Sequence, residues 1–340
     1  MKICQIIASR GEGGLEKHVR ELSSELQRQG HDVVVFGEES YLKTLPDSLT
    51  QVKVNFALSR HNPFLLLQLL YKLRQCKCDI IHAQANKAAS LINTLRRWLP
   101  CPVVGTLHNV KRNTRMFLAL DHIITVSRYL AEKLPADKTT VIYNGISPPQ
   151  CKPLDLTDLS DLSPEQPLVC AVGRLVKAKG FDVLLEAVNG LPINLLIVGE
   201  GPERQNLVRQ ISEIQSPTCC LLLGHRNDIP SLLASSDAVI ISSRREGFSY
   251  VFCEALFCQS NVISTDVPIP NELLPRELIV PTNDAAALRE KLQSLLQSPE
   301  QWSALMRESH LFAKEQLTLN AMGKRTEEVY RQAVVTIKSR

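Results

Sequence analysis

Short apolar runs alternate with longer stretches of helical spacing along the chain, the pattern of parallel sheets covered by helices on both faces. Lys2 to Ala8 reads as a first strand, and the loop Gly11-Glu12-Gly13-Gly14 leads into a helix striped by Leu15, Val19, Leu22 and Leu26. Gly30 ends that helix, Val33 to Phe36 is the next strand, and the alternation continues through Ile80-Ile81, Val103 to Leu107 and Ile123 to Val126. It breaks at residues 147–167, where prolines and polar residues carry no sustained apolar period, so a linker is predicted there. Strands are predicted again at 168–172, 193–198, 219–223, 238–242 and 261–264, and helical spacing runs from about Ala285 to Ile337. The fold class is therefore α/β, with two doubly wound domains at 1–146 and 168–320. Two such domains create a cleft suited to a two-substrate reaction, and closing it would exclude water.

At 340 residues the chain is long enough for two cores. Its longest apolar run, Phe64 to Tyr71, is far short of the roughly 20 residues that cross a bilayer, and Met1 to Ala8 reads as a strand rather than a cleavable leader. Ten cysteines include Cys76-x-Cys78 and Cys219-Cys220 but no Cys-x-x-Cys, so neither a zinc site nor a thioredoxin-like pair is implied. Reduced, mostly buried thiols in a cytoplasmic protein are expected.

Charge is uneven. Residues 1–146 hold 20 Lys and Arg against 12 Asp and Glu, whereas residues 147–340 hold 19 against 23. Within the basic half, Arg96-Arg97-Trp98 and Lys111-Arg112-Asn-Thr-Arg115-Met116-Phe117 set cations beside apolar groups, which suits peripheral contact with an anionic membrane; a solvated basic surface is the alternative. Nucleic acid is not an expected partner, because aromatics are sparse and no cation stripe or binding module is visible.

The densest candidate chemistry is Arg244-Arg-Glu-Gly-Phe-Ser-Tyr-Val-Phe-Cys-Glu254, between a strand and a helix. It places Glu246 in a loop at the carboxyl end of a strand and Glu254 in the first turns of the next helix, where open α/β sheets bind ligands. Two carboxylates there suit sugar hydroxyls, and the helix start across Gly247, Phe248, Ser249, Tyr250 and Val251 offers backbone N–H groups to a diphosphate. A second loop carries Arg174 and Lys179 after the strand ending at Gly173, an expected anion clamp: Arg174 forks two phosphate oxygens and Lys179 adds a point charge. Gly13 and Gly14 precede a helix and allow backbone amides to approach a phosphate or sugar oxygen, although Glu16 breaks the dinucleotide pattern Gly-x-Gly-x-x-Gly. His82 and His108 each follow an apolar strand and are expected to reach the cleft.

Taken together, Gly173-Arg174-Leu-x-x-x-Lys179-Gly180, Val198-Gly-Glu-Gly-Pro202 and Glu246-Gly-Phe-(x)5-Glu254-Ala resemble glycosyltransferase family 4, retaining sugar-nucleotide transferases of GT-B fold. Further matches are Gly13-Gly14-Leu-Glu16, Asp79-Ile-Ile-His82, Thr106-Leu-His108, Thr125-Val-Ser127 and Val141-Ile-Tyr-Asn144-Gly145. The resemblance implies a nucleotide-sugar co-substrate, most often a uridine one, no other cofactor, and a glycan or lipid-linked acceptor of bacterial lipopolysaccharide or capsule synthesis. It further implies that Glu254 binds the ribose, that His108 contacts the donor sugar, that Glu246 contacts the donor sugar or acts electrostatically on a developing oxocarbenium ion, and that the backbone at His225-Arg226 reads the base. Residues 321–340 would form a helix crossing back onto the N-terminal domain. The chain lacks Asp-x-Asp, so side-chain cations would neutralise the leaving diphosphate without metal. Gln259-Ser-Asn-Val262 and Pro268-Ile-Pro-Asn-Glu272 depart from the family's turn and glycine pair beside the donor pocket. An epimerase of the same fold, or a silent sugar-nucleotide-binding partner, are the competing readings.

Overall fold

A computed structural model describes residues 1–9, 11, 13–109, 113–154 and 161–338, with side chains to residue 336. Lys111 and Arg112 of the predicted basic segment, and Glu12 of the glycine loop, lie outside the described residues.

The chain divides into two compact units, residues 1–146 with 316–340, and residues 147–315. Unit 1 runs β1 (Lys2–Ile7), α1 (Gly14–Arg28), β2 (Asp32–Gly37), α2 (Glu39–Leu42), β3 (Thr50–Lys53), α3 (Pro63–Cys76), β4 (Ile80–Gln84), α4 (Ala85–Leu95), β5 (Val103–Leu107), α5 (Arg115–Leu118), β6 (His122–Thr125), α6 (Arg128–Ala131) and β7 (Thr139–Val141). Unit 2 runs β8 (Leu168–Val172), α7 (Phe181–Val188), β9 (Asn194–Val198), α8 (Arg204–Ser212), β10 (Cys219–Gly224), α9 (Ile229–Ser235), β11 (Ala238–Ile241), α10 (Tyr250–Phe257), β12 (Val262–Thr265), α11 (Pro270–Leu273), β13 (Ile279–Val280), α12 (Ala285–Leu296) and α13 (Pro299–Gln316). The last helix, α14 (Leu319–Lys338), returns to unit 1.

Each unit holds one all-parallel sheet, ordered β3-β2-β1-β4-β5-β6-β7 and β10-β9-β8-β11-β12-β13. Both follow the doubly wound order, which reverses between β1 and β4 in one unit and between β8 and β11 in the other. The strand cores are covered on both faces, as parallel strands require: Ile3, Ile6 and Ile7 of β1 and Leu195, Leu196 and Ile197 of β9 are fully buried. In unit 1, α14 lies against α1, and its Met322, Val329, Tyr330 and Ala333 join Leu22, Leu26, Val33 and Ile80 in one apolar cluster.

Helix α3 begins where its sequence dictates. The Asn62 side chain accepts from the N–H groups of Phe64 and Leu65, and Pro63 opens the first turn. Its Leu65, Leu69 and Leu73 are buried, while Phe64, Leu67 and Tyr71 point to solvent.

The expectation that every thiol is reduced is overturned. Cys151 and Cys258 form a disulfide across 107 residues, with their Cα atoms 5.3 Å apart. No local spacing motif could announce it, because only the fold brings the segment after Ile146 to the end of α10. The remaining eight cysteines are free.

Candidate active site

In unit 2 the loops after β8 and β11, neighbouring strands at the topological reversal, interlock through backbone contacts. Gly180 adopts φ +66°, and a Cβ there would sit 2.1 Å from the Ser242 carbonyl oxygen. The Ser242 hydroxyl donates to the Lys179 carbonyl at 2.9 Å, and the Arg244 N–H donates to the Ala178 carbonyl at 2.8 Å. The loop after β9 closes the other flank, since Gly199 leaves only 1.9 Å between a hypothetical Cβ and the Gly173 carbonyl oxygen. These glycines are there because backbone fills the space a side chain would need.

This frame joins residues 67 positions apart. Lys179 Nζ lies 2.5 Å from Glu246 Oε1, and the Ser243 hydroxyl donates to the same oxygen at 2.7 Å. Lys179 and Glu246 side chains are only 21% and 9% exposed, so the expected point charge of the clamp is held in an ion pair. Its aliphatic stem covers Gly173, its Cε 3.1 Å from where a Cβ would be. Arg174 is exposed and makes no ion pair among the described residues.

Ser249 caps α10 by accepting from the Phe252 N–H, so this helix starts at Tyr250; Glu254 is half-buried on it, and Phe248 packs edge-on to Tyr250 at 5.2 Å. Arg226 is engaged with Asp228 through two bonds of 2.8 and 2.5 Å. That pairing raises the Arg226 pKa and holds the Asp228 carboxyl below its usual range.

Sequence reasoning passed over one supporting pair. Arg244 forks Asp182 at 2.6 and 2.8 Å and donates to the Lys177 carbonyl at 2.8 Å, tying the β11 loop to the start of α7. The guanidinium lowers the Asp182 pKa. Its only signal was an Arg beside the candidate Glu and an Asp after Gly180.

In unit 1, Gly13 is the N-terminal cap of α1 and Gly14 its first residue. Glu16 turns back to accept from the Gly13 N–H at 3.0 Å and also takes the Ser9 hydroxyl, so that amide is occupied within the protein. Gly11, Gly13, Lys17, Arg20 and Tyr41 line a surface cavity of about 470 Å³.

His82 does not reach a cleft. It lies within β4, fully buried, with Nδ1 2.6 Å from the Tyr330 hydroxyl and Nε2 2.6 Å from Thr106 Oγ1. A residue two places before the carboxyl end of a central strand points into the layer, which the end of an apolar run could not reveal. His108, just past β5, is partly exposed, with Nε2 2.7 Å from Gln84 Oε1 and its ring 4.6 Å from that of His18. Burial holds all three imidazoles neutral: His82 is lowered to about 3, His18 to about 4, and His108 well below the usual value, with the neighbouring histidines adding to the last.

Two family models account for most of the chain. Glycosyltransferase Family 4 matches residues 12–149, and Glycosyl transferases group 1 matches residues 159–309. The chain belongs to the family 4, group 1 glycosyltransferases. The O-antigen biosynthesis glycosyltransferase WclY of Escherichia coli is 20% identical over 362 residues, covering 97% of this chain and 98% of that protein. Among solved structures, a glycosyltransferase of Rickettsia africae superposes with a TM-score of 0.81 at 21% identity, covering 98% of each chain. Anabaena HepE, solved in complex with UDP and glucose, superposes at 0.76 and 18% identity over 98% of this chain and 100% of that one.

The two parallel-sheet units are thus those of a GT-B glycosyltransferase. In this glycosyltransferase the second family model spans the whole Arg174, Lys179, Glu246 and Glu254 constellation, and the first spans Gly13, Gly14 and His108. Of these, the fold brings Lys179 and Glu246 together, a cation that can neutralise an anion and a carboxylate that can accept hydrogen bonds from hydroxyls.

Proposed function

We propose that this glycosyltransferase moves a hexosyl group, with retention and without metal, from a uridine-diphosphate sugar to a glycan or lipid-linked acceptor of the bacterial cell envelope. The observation that carries this reading is the meeting of Lys179 and Glu246 at the reversal point of unit 2, with the exposed cation Arg174 in the same loop, next to the Gly173 that the Lys179 stem covers. A diphosphate would draw Lys179 away from Glu246 and add the guanidinium of Arg174, placing positive charge where the leaving group becomes more negative. Glu246, released from that pair, would accept from a sugar hydroxyl or face the developing oxocarbenium ion. Glu254 would hold the ribose, the segment Gly247 to Val251 would supply N–H groups to the phosphates, and the backbone beside Arg226 would read the base. His108 would accept from a sugar hydroxyl. The kinship with an O-antigen enzyme and the UDP held by HepE support the envelope acceptor and the uridine donor.

Incubation with a panel of sugar nucleotides tests this. Slow UDP release from one UDP-sugar, undiminished by chelator, is expected without acceptor. Conversion of donor to an epimer, or binding without any turnover, would replace the transferase reading by one of its rivals.

A peripheral membrane contact through unit 1 belongs to the same proposal. From Ser48 to Leu120 the sequence has eleven Lys and Arg and a single acid, Asp79. On this stretch Phe64, Leu67 and Tyr71 of α3 are 78%, 65% and 63% exposed. Arg74 donates to the Trp98 carbonyl at 3.1 Å, and Arg97 lies 5.1 Å over the Trp98 ring, so Arg97 and Trp98 of the predicted patch adjoin this helix, whereas Arg96 is engaged with Asp121 at 2.6 Å. Apolar side chains that insert, with cations worth about 1 kcal/mol each at an anionic surface, make a two-part anchor. Binding to vesicles rich in anionic phospholipid is expected to fall at least tenfold in F64S/L67S/Y71S, with no binding to neutral vesicles. Equal sedimentation of the variant would remove this surface.

A further inference from the structure

A chain of buried hydrogen bonds leads from His108 to the last helix. His108 Nε2 is 2.7 Å from Gln84 Oε1, Gln84 Nε2 donates to Gln5 Oε1 at 2.9 Å, and Gln5 Nε2 donates to the Tyr330 hydroxyl at 3.1 Å. The Tyr330 hydroxyl in turn lies 2.6 Å from His82 Nδ1, whose Nε2 meets Thr106 Oγ1. Gln5, Gln84, His82 and Tyr330 are each 0–1% exposed, so water cannot substitute for any member.

The polarity of this chain is collective. With the Gln84 amide donating to Gln5, its oxygen faces His108 and requires a proton on Nε2. Gln5, donating to Tyr330, accepts from Gln84, and the phenol proton then goes to His82 Nδ1. Reversing any one bond requires both amides to turn over and the phenol to accept from His82 instead. Partners that polarise one another make the intermediate arrangements costly, because each leaves a buried polar atom unmatched.

We infer that Tyr330 is a positioning residue: acting through Gln5 and Gln84, it keeps the proton of His108 on Nε2 and leaves Nδ1 as an acceptor for a substrate hydroxyl. The part played by Nδ1 rests on the reading of His108 as a donor-sugar contact; the control of its tautomer does not. Neutrality of the ring, enforced by burial, is what gives the tautomer meaning, since a charged imidazole would donate from both nitrogens. The arrangement makes the terminal helix part of substrate recognition rather than only a cover for α1.

Two variants cut the chain at different places. Tyr330→Phe keeps the ring and removes the hydroxyl; Gln5→Met keeps the length and removes both polar atoms. Long-range proton–nitrogen NMR of the histidine rings, assigned with a His108→Asn variant, reads the tautomer directly. The wild type is expected to show His108 protonated at Nε2 alone, and both variants to show a mixture. The kcat/KM for the sugar nucleotide should fall about tenfold in each, chiefly through KM. A single Nε2–H tautomer persisting in both variants would overturn the inference, whatever their thermal stability. A mixed tautomer with unchanged kcat/KM would keep Tyr330 as the setter of the ring but remove His108 from the sugar.

Discussion

Replacing Arg174 by alanine is expected to lower kcat/KM for the sugar nucleotide by about 10²–10³-fold, the usual consequence of removing one stabiliser of charge that grows in the transition state. Thermal unfolding should be unchanged, because the side chain is exposed and makes no ion pair among the described residues. Lys179→Ala is expected to behave differently despite a similar loss of turnover. Glu246 would keep a poorly solvated carboxylate with, among the described residues, the Ser243 hydroxyl as its remaining side-chain partner, so the unfolding temperature should also drop. Lys179→Ala/Glu246→Gln should recover much of that stability and none of the activity. Steady-state kinetics with thermal unfolding on the same preparations separate the two roles. An Arg174→Ala enzyme with wild-type kcat/KM would discard the anion clamp.

A large loss of stability is expected on substitution of Gly180. Alanine there must hold a left-handed backbone, costing roughly 1–2 kcal/mol, and must also push the Ser242 carbonyl away from a position only 2.1 Å from the new Cβ. Backbone on both sides leaves no flexible side chain to yield, so the total should reach about 3 kcal/mol or more. The displacement would pass to Glu246, since Ser242 and Arg244 carry the bonds that register the two loops. Denaturant unfolding of Gly180→Ala measures this, and a midpoint equal to wild type would refute the close approach.

The strands of both sheets that frame the site were legible because parallel strands buried on both faces leave dense apolar runs such as Leu168 to Val172 and Val103 to Leu107. Three others escaped. β3, β7 and β13 are two to four residues long, at or near sheet edges, too short for any periodicity to register. Within the candidate site, residue types announced themselves but their partners did not. Lys179 and Glu246 each stood out in a loop, yet their pairing depends on strand order, which places β8 beside β11 despite the intervening β9 and β10. The same holds for Cys151 with Cys258 and for Tyr330 with Gln5, 325 residues apart. His82 misled because strand β4 continues two residues beyond it, with polar Gln84 completing the strand.

The return of α14 to unit 1 bears on how the molecule is made. Leu22, Leu26 and Val33 acquire their cover of Met322, Val329 and Tyr330 only from codons read after the whole of unit 2. On the ribosome that apolar flank of the first unit therefore stays without this cover until the second unit has been made.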